Sequence, residues 1–424
     1  MFTDPYPDKL KILFIGNPGS SHVQGWINLL STAEFNIRLF SCTDGYPSDE
    51  WKTKTYLITK SPPRNLEADS RQSWWITPEE YLEHRAKISK ICKLLDKLLY
   101  RLFKFHILPL HPQGKTNSPE EWLYLAIKSW QPDIIHAFGL DEGTDFYFRA
   151  QKQFGHFSNK KLIIKVYGGS DLAFKIFDQD SLQIVKKNLS QATHVLFDNK
   201  YYPEILIKEK VLLPEQVCPL TPAPGSGGVD VDELYLQWDC VTSERRVIVW
   251  PKSYETNWSK ALPVLFALRA VWDRIQPCEV YMLATNPEVK QWLATLPDDM
   301  RMQIRVFSGV PRKTALDIML KSRVLLAPSL IDGVPNVLYE AMACGALPIV
   351  SPIPTIKDVV TEQNVIFAEN LKQTDIEQAL IKAMTDNKFV DECATRNIAL
   401  VKKLADIKVI QPKVIAYYES LMEN

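Results

Sequence analysis

The chain has 424 residues, 46% of them hydrophobic and 24% charged, and its 50 basic residues balance its 50 acidic ones. This length predicts roughly two to three domains, and the charge balance argues against a general nucleic-acid binder. The seven cysteines form no CxxC pair, which argues against zinc and a disulfide framework and favours a reducing cytosol.

The N-terminus, MFTDPYPDKLKILFIG, lacks the basic start and long apolar run of a signal peptide. No uncharged apolar stretch approaches the length of about 18 residues that a membrane span requires. We therefore expect a cytoplasmic protein.

The first predicted strand, residues 10–16, leads into a loop of small residues. The run LKILFIG is typical of a buried strand in a parallel sheet, and residues 35–41 form the second predicted strand. The loop contains Gly19, Ser20, Ser21 and His22. Such a loop can bring backbone close to a phosphate or a substrate hydroxyl, although many glycine-rich turns serve packing alone. It lacks the GxGxxG pattern of a dinucleotide site.

Residues 79–108 predict a basic amphipathic helix. The apolar residues that share one of its faces are Ile88, Ile91, Leu94, Leu95, Leu98, Leu99 and Leu102. Between residues 85 and 104 the segment has seven Lys or Arg residues and one acid, Asp96. Such a helix can make a peripheral contact at the inner membrane face, or it can pack on a core with its basic face outward. Both interpretations stay open.

Three further strands are predicted before residue 218: residues 132–139, 161–166 and 192–198. His136 lies near the carboxyl end of the first of these strands, and Tyr167 and Gly168 follow the second. A lone histidine near a strand end is more often structural than functional. The alternation of strands and helices predicts a doubly wound parallel sheet over residues 1–218.

A run rich in proline and glycine, PLTPAPGSGGVD, begins at residue 219 and predicts a linker over residues 219–245. Asp230-Val231-Asp232 superficially resembles a metal-binding Asp-x-Asp. Because it lies in the predicted linker and not at a strand end, we predict no metal site there.

The second predicted domain spans residues 246–410 and repeats the alternation of strands and helices. Its strands are predicted at residues 246–250, 279–284, 304–307, 324–327 and 347–350. Residues 411–424 predict a C-terminal helix that crosses back to the first lobe.

The clearest strand–loop–helix–strand unit lies between residues 324 and 350. A polar turn with Asp332 and Gly333 follows its first strand, Pro335 is predicted as the first helical residue, and Gly345 is predicted to end the helix. In a parallel sheet, ligands bind at the carboxyl ends of the strands, beside the helix N-termini.

Two acids flank the start of this helix, Asp332 in the turn and Glu340 inside the helix. The exposed N–H groups of a first helical turn form an anion site, and carboxylates accept from sugar hydroxyls, so the pattern would suit a nucleotide sugar. Spacing alone favours a structural interpretation, with Asp332 as a cap and Glu340 as a solvated or salt-bridged residue.

Taken together, these features resemble the GT-B glycosyltransferases, most closely the retaining glycosyltransferase family 4, or glycosyl transferases group 1. The most specific motif is DGVPNVLYEAMACGALPIVS at residues 332–351, which is similar to that family's signature. GVD at residues 228–230 and SGV at residues 308–310 also resemble family positions. The likeness covers nearly the whole chain and is strongest between residues 246 and 370. It implies an α/β fold of GT-B architecture, with two doubly wound Rossmann-like lobes facing a cleft.

The resemblance also implies roles for single residues. Glu340 would accept from the ribose hydroxyls of the donor nucleotide, Asp332 would contact the donor sugar, Lys252 and Lys260 would bind the diphosphate, and Val310 would face the base. Residues implied near the sugar and the diphosphate are Gly333, Val334, Pro335, Asn336 and Val337. The acceptor and phosphate loop of the first lobe would comprise Gly19, Ser20, Ser21, His22, His136, Tyr167 and Gly168.

The implied activity is that of a retaining, metal-independent glycosyltransferase. It would move a sugar from a UDP- or GDP-sugar to a glycan, lipid-linked or small-molecule acceptor, with no tightly bound cofactor. Two lysines and a helix N-terminus can neutralise the departing phosphate without a metal.

Two alternatives keep the same fold. A sugar-nucleotide epimerase would need further acids and histidines in the first lobe, and the chain has only seven histidines. A catalytically degenerate module would bind nucleotide sugar without turnover. Two departures from the family pattern favour that module: Asp332 replaces the usual glutamate, and Tyr167-Gly168 replaces the His-Gly of many members.

Overall fold

The computed structural model describes residues 4–45, 47, 51–60, 73–77, 118–155, 157, 160–167, 169, 171–307 and 309–423. The basic helix predicted over residues 79–108 lies outside these ranges, as does Gly168, so the membrane contact of residues 85–104 stays a prediction. None of the helices in the described ranges combines the length and the apolar character of a membrane span.

The chain divides into two compact units. The first comprises Met1–Lys165, Lys187–Val195 and Glu419–Asn424, and the second comprises Val166–Lys186 and Leu196–Tyr418. The segment predicted as a linker, residues 219–245, lies within the second unit, and the predicted domain boundaries stay a prediction.

A seven-stranded sheet with the strand order β4-β3-β2-β1-β5-β6-β7 organises the first unit. Its strands are β1 Lys11–Gly16, β2 Asn36–Ser41, β3 Thr55–Ile58, β4 Ser73–Ile76, β5 Ile134–Phe138, β6 Lys161–Lys165 and β7 His194–Leu196. Neighbouring strands from β4 to β6 pair in parallel. Four consecutive residues of β1, from Ile12 to Ile15, are fully buried. A strand covered on both faces in this way reads as a continuous apolar run.

A six-stranded sheet with the order β10-β9-β8-β11-β12-β13 organises the second unit. Its strands are β8 Val247–Trp250, β9 Glu279–Met282, β10 Ile304–Val306, β11 Ser322–Ala327, β12 Leu347–Val350 and β13 Ile366–Phe367. All of these pairings are parallel.

Helices alternate with the strands in both units. Their bounds are α1 Ser21–Asn28, α2 Pro119–Trp130, α3 Asp145–Phe154, α4 Gln179–Leu189, α5 Tyr201–Lys208, α6 Val231–Tyr235, α7 Ala261–Val271, α8 Pro287–Leu293, α9 Asp298–Met302, α10 Arg312–Leu320, α11 Asn336–Ala343, α12 Pro354–Lys357, α13 Gln373–Thr385, α14 Asn387–Leu404 and α15 Ile407–Glu423.

Two apolar clusters cover opposite faces of the six-stranded sheet. Ile248 and Val324 belong to the cluster that includes α7 and α13, whereas their neighbours Val249 and Leu325 belong to the cluster that includes α11. Successive side chains of a strand point to opposite faces, so this alternation places helices on both sides of the sheet. The predicted doubly wound arrangement is confirmed for this unit.

Helix α11 begins one residue later than predicted. Pro335 precedes the helix with an extended backbone (φ −67°, ψ 135°), and its carbonyl accepts from the Leu338 N–H at 2.9 Å. Pro335 is therefore the cap residue and not the first helical residue, because a cap residue is non-helical while its carbonyl already accepts the first helical bond.

The end of α11 is fixed by close packing at Gly345, as predicted. Gly345 has a φ of +83°, and a Cβ there would lie 2.5 Å from a ring carbon of Trp238. The Trp238 indole donates to the Ala343 carbonyl at 3.2 Å, and Arg245 donates to the Cys344 carbonyl at 2.7 Å. Only a residue without a side chain fits this position and its left-handed backbone.

We predict that Gly345→Ala lowers the free energy of unfolding by more than backbone strain alone. Gly309→Ala is the matched control, because Gly309 has a φ of +64° but no atom within 4 Å of its Cβ position. The control should lose about 1 kcal/mol from the left-handed backbone, and Gly345→Ala should lose roughly a further 1–3 kcal/mol from overpacking. Urea unfolding of both variants measures the difference, and equal losses would contradict the packing argument.

Candidate functional site

The turn before α11 is held by an ion pair and a hydrogen bond. The Asp332 carboxylate accepts from the Lys252 ammonium, which lies in the loop after β8, and both side chains are largely buried. The Thr355 hydroxyl donates to the Asp332 carbonyl at 2.9 Å. Burial acts to lower the pKa of Lys252, but the charge and hydrogen bond of Asp332, together with the charges of Tyr254 and Asp198, outweigh it, so the pKa is raised and the lysine stays charged.

Gly333 lies where several chain segments approach closely. A Cβ at Gly333 would clash with the Asp198 carboxylate and lie 2.7 Å from the Tyr167 carbonyl oxygen. At Gly169, an added Cβ would lie 3.3 Å from the Gly333 nitrogen. Tyr167 and Gly169 therefore pack directly against the turn, and the absence of a side chain at Gly333 makes this approach possible.

Asp198 is a buried carboxylate beneath the same turn. Its Oδ2 accepts from the Val334 N–H at 3.0 Å and its Oδ1 from the Asn199 side chain at 2.5 Å. Burial raises the pKa of Asp198 to about 7; the two hydrogen bonds oppose this rise, and the charges of Asp332 and Asp171 add to it. Asp198 lies two residues after the end of β7.

Glu340 is held by an arginine that lies far from it in sequence. The Arg312 Nε donates to the Glu340 Oε1 at 2.7 Å, and the Arg312 Nη2 donates to the Gly228 carbonyl at 3.1 Å. The Glu340 side chain is 8% exposed. Within the described part of the chain, Arg312 is the one side chain that hydrogen-bonds this carboxylate, so Oε2 is available to a further donor.

Lys260 belongs to a separate ion pair. Its ammonium lies 2.8 Å from the Glu255 Oε1, while the Glu255 Oε2 accepts from the Ala261 N–H at 2.8 Å at the start of α7. The side chain of Asn370 fixes the Lys260 backbone, because it accepts from the Lys260 N–H at 2.9 Å and donates to the Lys260 carbonyl at 3.1 Å. The same amide donates to the Pro328 carbonyl at 3.1 Å and so joins the loop that ends at Lys260 to the loop after β11.

The remaining predicted donor-side residues lie in α11, in the turn before it, or against the apolar cluster that includes it. The Asn336 Oδ1 accepts from the Ser226 N–H at 2.9 Å. Val334 is buried, and Val310 and Val337 pack at the edge of the apolar cluster that includes α11.

The first unit contains the other predicted residues. Ser20 caps α1 by accepting from the His22 N–H at 3.3 Å, Ser21 is the first residue of that helix, and the Gly19 N–H donates to Asn17 at 2.9 Å. These contacts account for the local structure of the loop and leave its functional role a prediction.

His136 lies in the middle of β5 and not near its carboxyl end as predicted. Its side chain is fully buried, and its ring stacks on Phe138 with a centroid distance of 4.8 Å. Burial lowers the pKa of His136 well below its ordinary value, and the charge of Lys165 acts in the same direction, so the imidazole is neutral.

The second unit therefore brings several predicted residues together and separates others. Asp332, Gly333, Lys252 and the Tyr167 backbone meet at one turn, whereas Lys260 is bound to a different acid. Four residues of the site were missed by sequence reasoning: Asp198, Glu255, Arg312 and Asn370. Asp198 carried a signal, because it is an acid at the carboxyl end of the strand predicted over residues 192–198. The partners of the other three are set by tertiary packing.

The described residues contain no group of three or more His, Cys, Asp or Glu side chains that could hold a metal ion. Asp232, part of the Asp-x-Asp that was discounted, lies 2.8 Å from the Lys402 ammonium and 2.9 Å from that of Lys408.

Comparisons with known proteins agree with this architecture. Residues 295–399, which contain Arg312, Asp332 and Glu340, match the family model of the Glycosyl transferases group 1. A search of curated protein sequences gives no significant match. The predicted resemblance to group 1 glycosyl transferases is confirmed.

Solved structures share the fold over nearly the whole chain. Sucrose-phosphate synthase from Thermosynechococcus elongatus superposes with a TM-score of 0.65 at 12% identity, covering 98% of this chain and 100% of that one. Anabaena HepE in complex with UDP-glucose superposes with a TM-score of 0.64 at 12% identity, and the match covers 97% of this chain and 100% of HepE. A glycosyltransferase from Rickettsia africae superposes with a TM-score of 0.62 at 13% identity, and the match covers 98% of this chain and 100% of that one. The predicted GT-B architecture with two Rossmann-like lobes is confirmed.

We predict that the Lys252–Asp332 pair stabilises the second unit cooperatively. A double-mutant cycle with Lys252→Met and Asp332→Asn should give a coupling energy of about 1 kcal/mol in urea unfolding. The pair Arg301–Asp298 is the control, because its side chains are 49% and 83% exposed. Its coupling should stay below about 0.5 kcal/mol, and similar values for both pairs would contradict the prediction.

We also predict that Asp198 makes the stability depend on pH. Because the pKa of this carboxyl is about 7 in the folded chain and ordinarily 3.8, the folded state retains a proton that the unfolded state releases between these values. The free energy of unfolding therefore falls as pH rises from about 4 to 7.

The change Asp198→Asn should remove this component, since an amide does not titrate in this range. Relative to the variant, wild type should lose up to roughly 4 kcal/mol across the window. Urea unfolding of both proteins at several pH values gives the difference directly, because every other group is shared. Parallel curves would show that Asp198 titrates near its ordinary pKa.

Proposed function

We propose that this protein is a retaining, metal-independent glycosyltransferase that takes a nucleotide-sugar donor at the loops around α11 in its second unit. The observation that carries the proposal is the Glu340 carboxylate, which Arg312 holds by one oxygen while the other is available. A ribose offers neighbouring hydroxyls, and a fixed carboxylate accepts from such donors with strong, charge-assisted bonds. The group 1 match over residues 295–399 supports this assignment.

The donor diphosphate is assigned to Lys252, Lys260 and the N-terminal end of α11. Both lysines lie in the loop between β8 and α7, at the carboxyl end of a parallel strand, where ligands of such sheets bind. The N–H groups of the first turn of α11 add a favourable dipole for an anion. Binding requires each lysine to contact phosphate beside its present carboxylate partner, so the ion pairs keep the ammonium groups oriented before the donor arrives.

The donor is proposed to be a UDP- or GDP-sugar. HepE, a structural relative over nearly the whole chain, has been solved with UDP-glucose, which makes UDP-glucose the first ligand to test. Val310 is assigned to the base and Asp332 to the donor sugar. The acceptor is proposed to be a glycan, a lipid-linked glycan or a small molecule, with Gly19, Ser20, Ser21, His22 and Tyr167 on the acceptor side.

The proposed chemistry retains the anomeric configuration. The bond between the anomeric carbon and the phosphate oxygen breaks, and its electron pair stays on the phosphate. The acceptor oxygen attacks the same face of the sugar, and its proton passes to the departing phosphate oxygen. Because negative charge develops on that phosphate, preorganised cations and N–H groups stabilise the transition state, and one such donor contributes about 3 kcal/mol.

The experiment that tests the function is a donor panel. Purified protein is incubated with UDP-, GDP-, ADP- and TDP-sugars in the presence of EDTA, and binding, slow donor hydrolysis and the anomeric configuration of transferred sugar are recorded. Binding with hydrolysis of one donor supports the proposal. Hydrolysis that EDTA abolishes would contradict metal independence, and an inverted product would contradict retention.

We predict that Glu340→Gln weakens binding of the preferred donor about 10- to 100-fold, because a charged hydrogen bond is replaced by a neutral one. Calorimetric titration measures the affinity. Glu369→Gln is the matched control, since Glu369 is an exposed glutamate paired with Lys372. This control should bind the donor as tightly as wild type. Equal donor affinities of the two variants would contradict the assignment of Glu340 to the donor.

A catalytically degenerate binding module is the second candidate. The observation in its favour is that both lysines are already bound to acids, Lys252 to Asp332 and Lys260 to Glu255. In the same panel, this candidate predicts donor binding without hydrolysis or transfer to any acceptor.

A further inference from the structure

The Asp198 carboxylate is fixed to the backbone of the turn that precedes α11. It is 5% exposed, and its Oδ2 accepts from the Val334 N–H at 3.0 Å. Its position directly against Gly333 leaves no room for a side chain there. The turn conformation thus depends on an acceptor that comes from a distant part of the chain.

Charged and titratable groups face Asp198 from each surrounding segment. Asp332 comes from the turn itself, Asp171 from the loop after β6, Lys252 from the loop after β8, Tyr202 from α5 and Tyr339 from α11. The three carboxylates of this group outnumber its single ammonium. One further negative charge beside them is therefore opposed by the charges already present.

We propose that Asp198 is a positioning residue that holds the Asp332–Val334 turn and takes up a proton when the donor diphosphate binds. The proton uptake rests on the proposed function, because it requires an anionic ligand beside the turn. The positioning of the turn concerns the folded chain alone.

The two roles are compatible because of the chemistry of a carboxyl group. A carboxyl oxygen keeps acceptor capacity in both protonation states, so the bond from the Val334 N–H persists when the proton is bound. The negative charge, in contrast, repels a diphosphate. Donor binding therefore favours the protonated form, and linkage requires that the donor affinity falls as pH rises through the pKa of about 7.

The first measurement needs no donor. Hydrogen exchange of the Val334 amide is followed in wild type, Asp198→Ala and Asp198→Asn. Loss of the acceptor in Asp198→Ala should speed exchange at least tenfold, whereas Asp198→Asn, which keeps an oxygen of similar position, should restore protection. Asp391→Asn is the control, because Asp391 accepts from the Ser243 N–H at 2.9 Å in another part of the unit, and it should leave Val334 unchanged.

The second measurement uses UDP-glucose, whose diphosphate does not titrate near neutrality. Its binding is followed by calorimetry at pH 6, 7 and 8, in two buffers that differ in ionisation enthalpy. If binding raises the pKa of Asp198 by one unit, wild type should take up a fraction of a proton and bind about fivefold more weakly at pH 8 than at pH 6. In Asp198→Asn the uptake should vanish and the pH profile should flatten, while Asp391→Asn should behave as wild type.

The outcomes separate the proposal from the proposed function. UDP-glucose that binds with no proton uptake overturns the coupling but leaves the donor site standing. Unchanged exchange of Val334 in Asp198→Ala overturns the positioning role. If that variant does not fold, Asp198→Leu, which fills a similar space without an oxygen, decides the same point: exchange of Val334 equal to that of wild type would overturn the positioning role. Failure of every nucleotide sugar to bind removes the proposed function and the coupling together, and the exchange result still decides the positioning role.

Discussion

Close packing at Gly333 is the constraint on which the candidate site of the second unit depends. The Tyr167 carbonyl and the Asp198 carboxylate approach a position where a Cβ would not fit, and Gly169 lies beside the Gly333 nitrogen. The turn is further fixed at Asp332, whose side chain binds Lys252 and whose backbone carbonyl accepts from the Thr355 hydroxyl. As a result, the start of α11 and the acid before it have one conformation, set by segments that are far apart in sequence. A site of this kind is rigid before a ligand binds, which reduces the entropy lost on binding.

Three cations of the site are each matched by one acid. Lys252 is bound to Asp332, Lys260 to Glu255, and Arg312 to Glu340. Each of these pairs is partly buried, so the charges are oriented and only partly screened by water. Under the proposed function, an incoming diphosphate would meet ammonium groups that are already in place, and it would also meet their carboxylate partners. The balance between attraction and repulsion therefore depends on small changes in charge nearby, and a carboxyl that can gain a proton is one way to shift it.

Much of the fold could be predicted from the sequence because the strands are buried on both faces. Runs such as that from Ile12 to Ile15 are apolar throughout, and Gly345 marks the end of α11 through its left-handed backbone. The site was less predictable, since a contact such as Arg312 with Glu340 depends on tertiary packing that no local pattern encodes. The place of His136 in its strand was also wrong: it was predicted near the carboxyl end, but it lies in the middle of β5, where its buried ring stacks on Phe138.

The aspartate at position 332 and the buried Asp198 are best understood together. A glutamate at position 332 would carry its carboxylate one methylene further from the backbone, whereas the aspartate keeps its charge close to Lys252 and to the tightly packed turn. This places Asp332 near enough to Asp198 for their charges to interact. Burial already disfavours a second charge at that point, and Lys252 can neutralise only one of the two. The shorter acid therefore concentrates negative charge at the turn, and protonation of the more buried carboxyl is the response that physical chemistry favours.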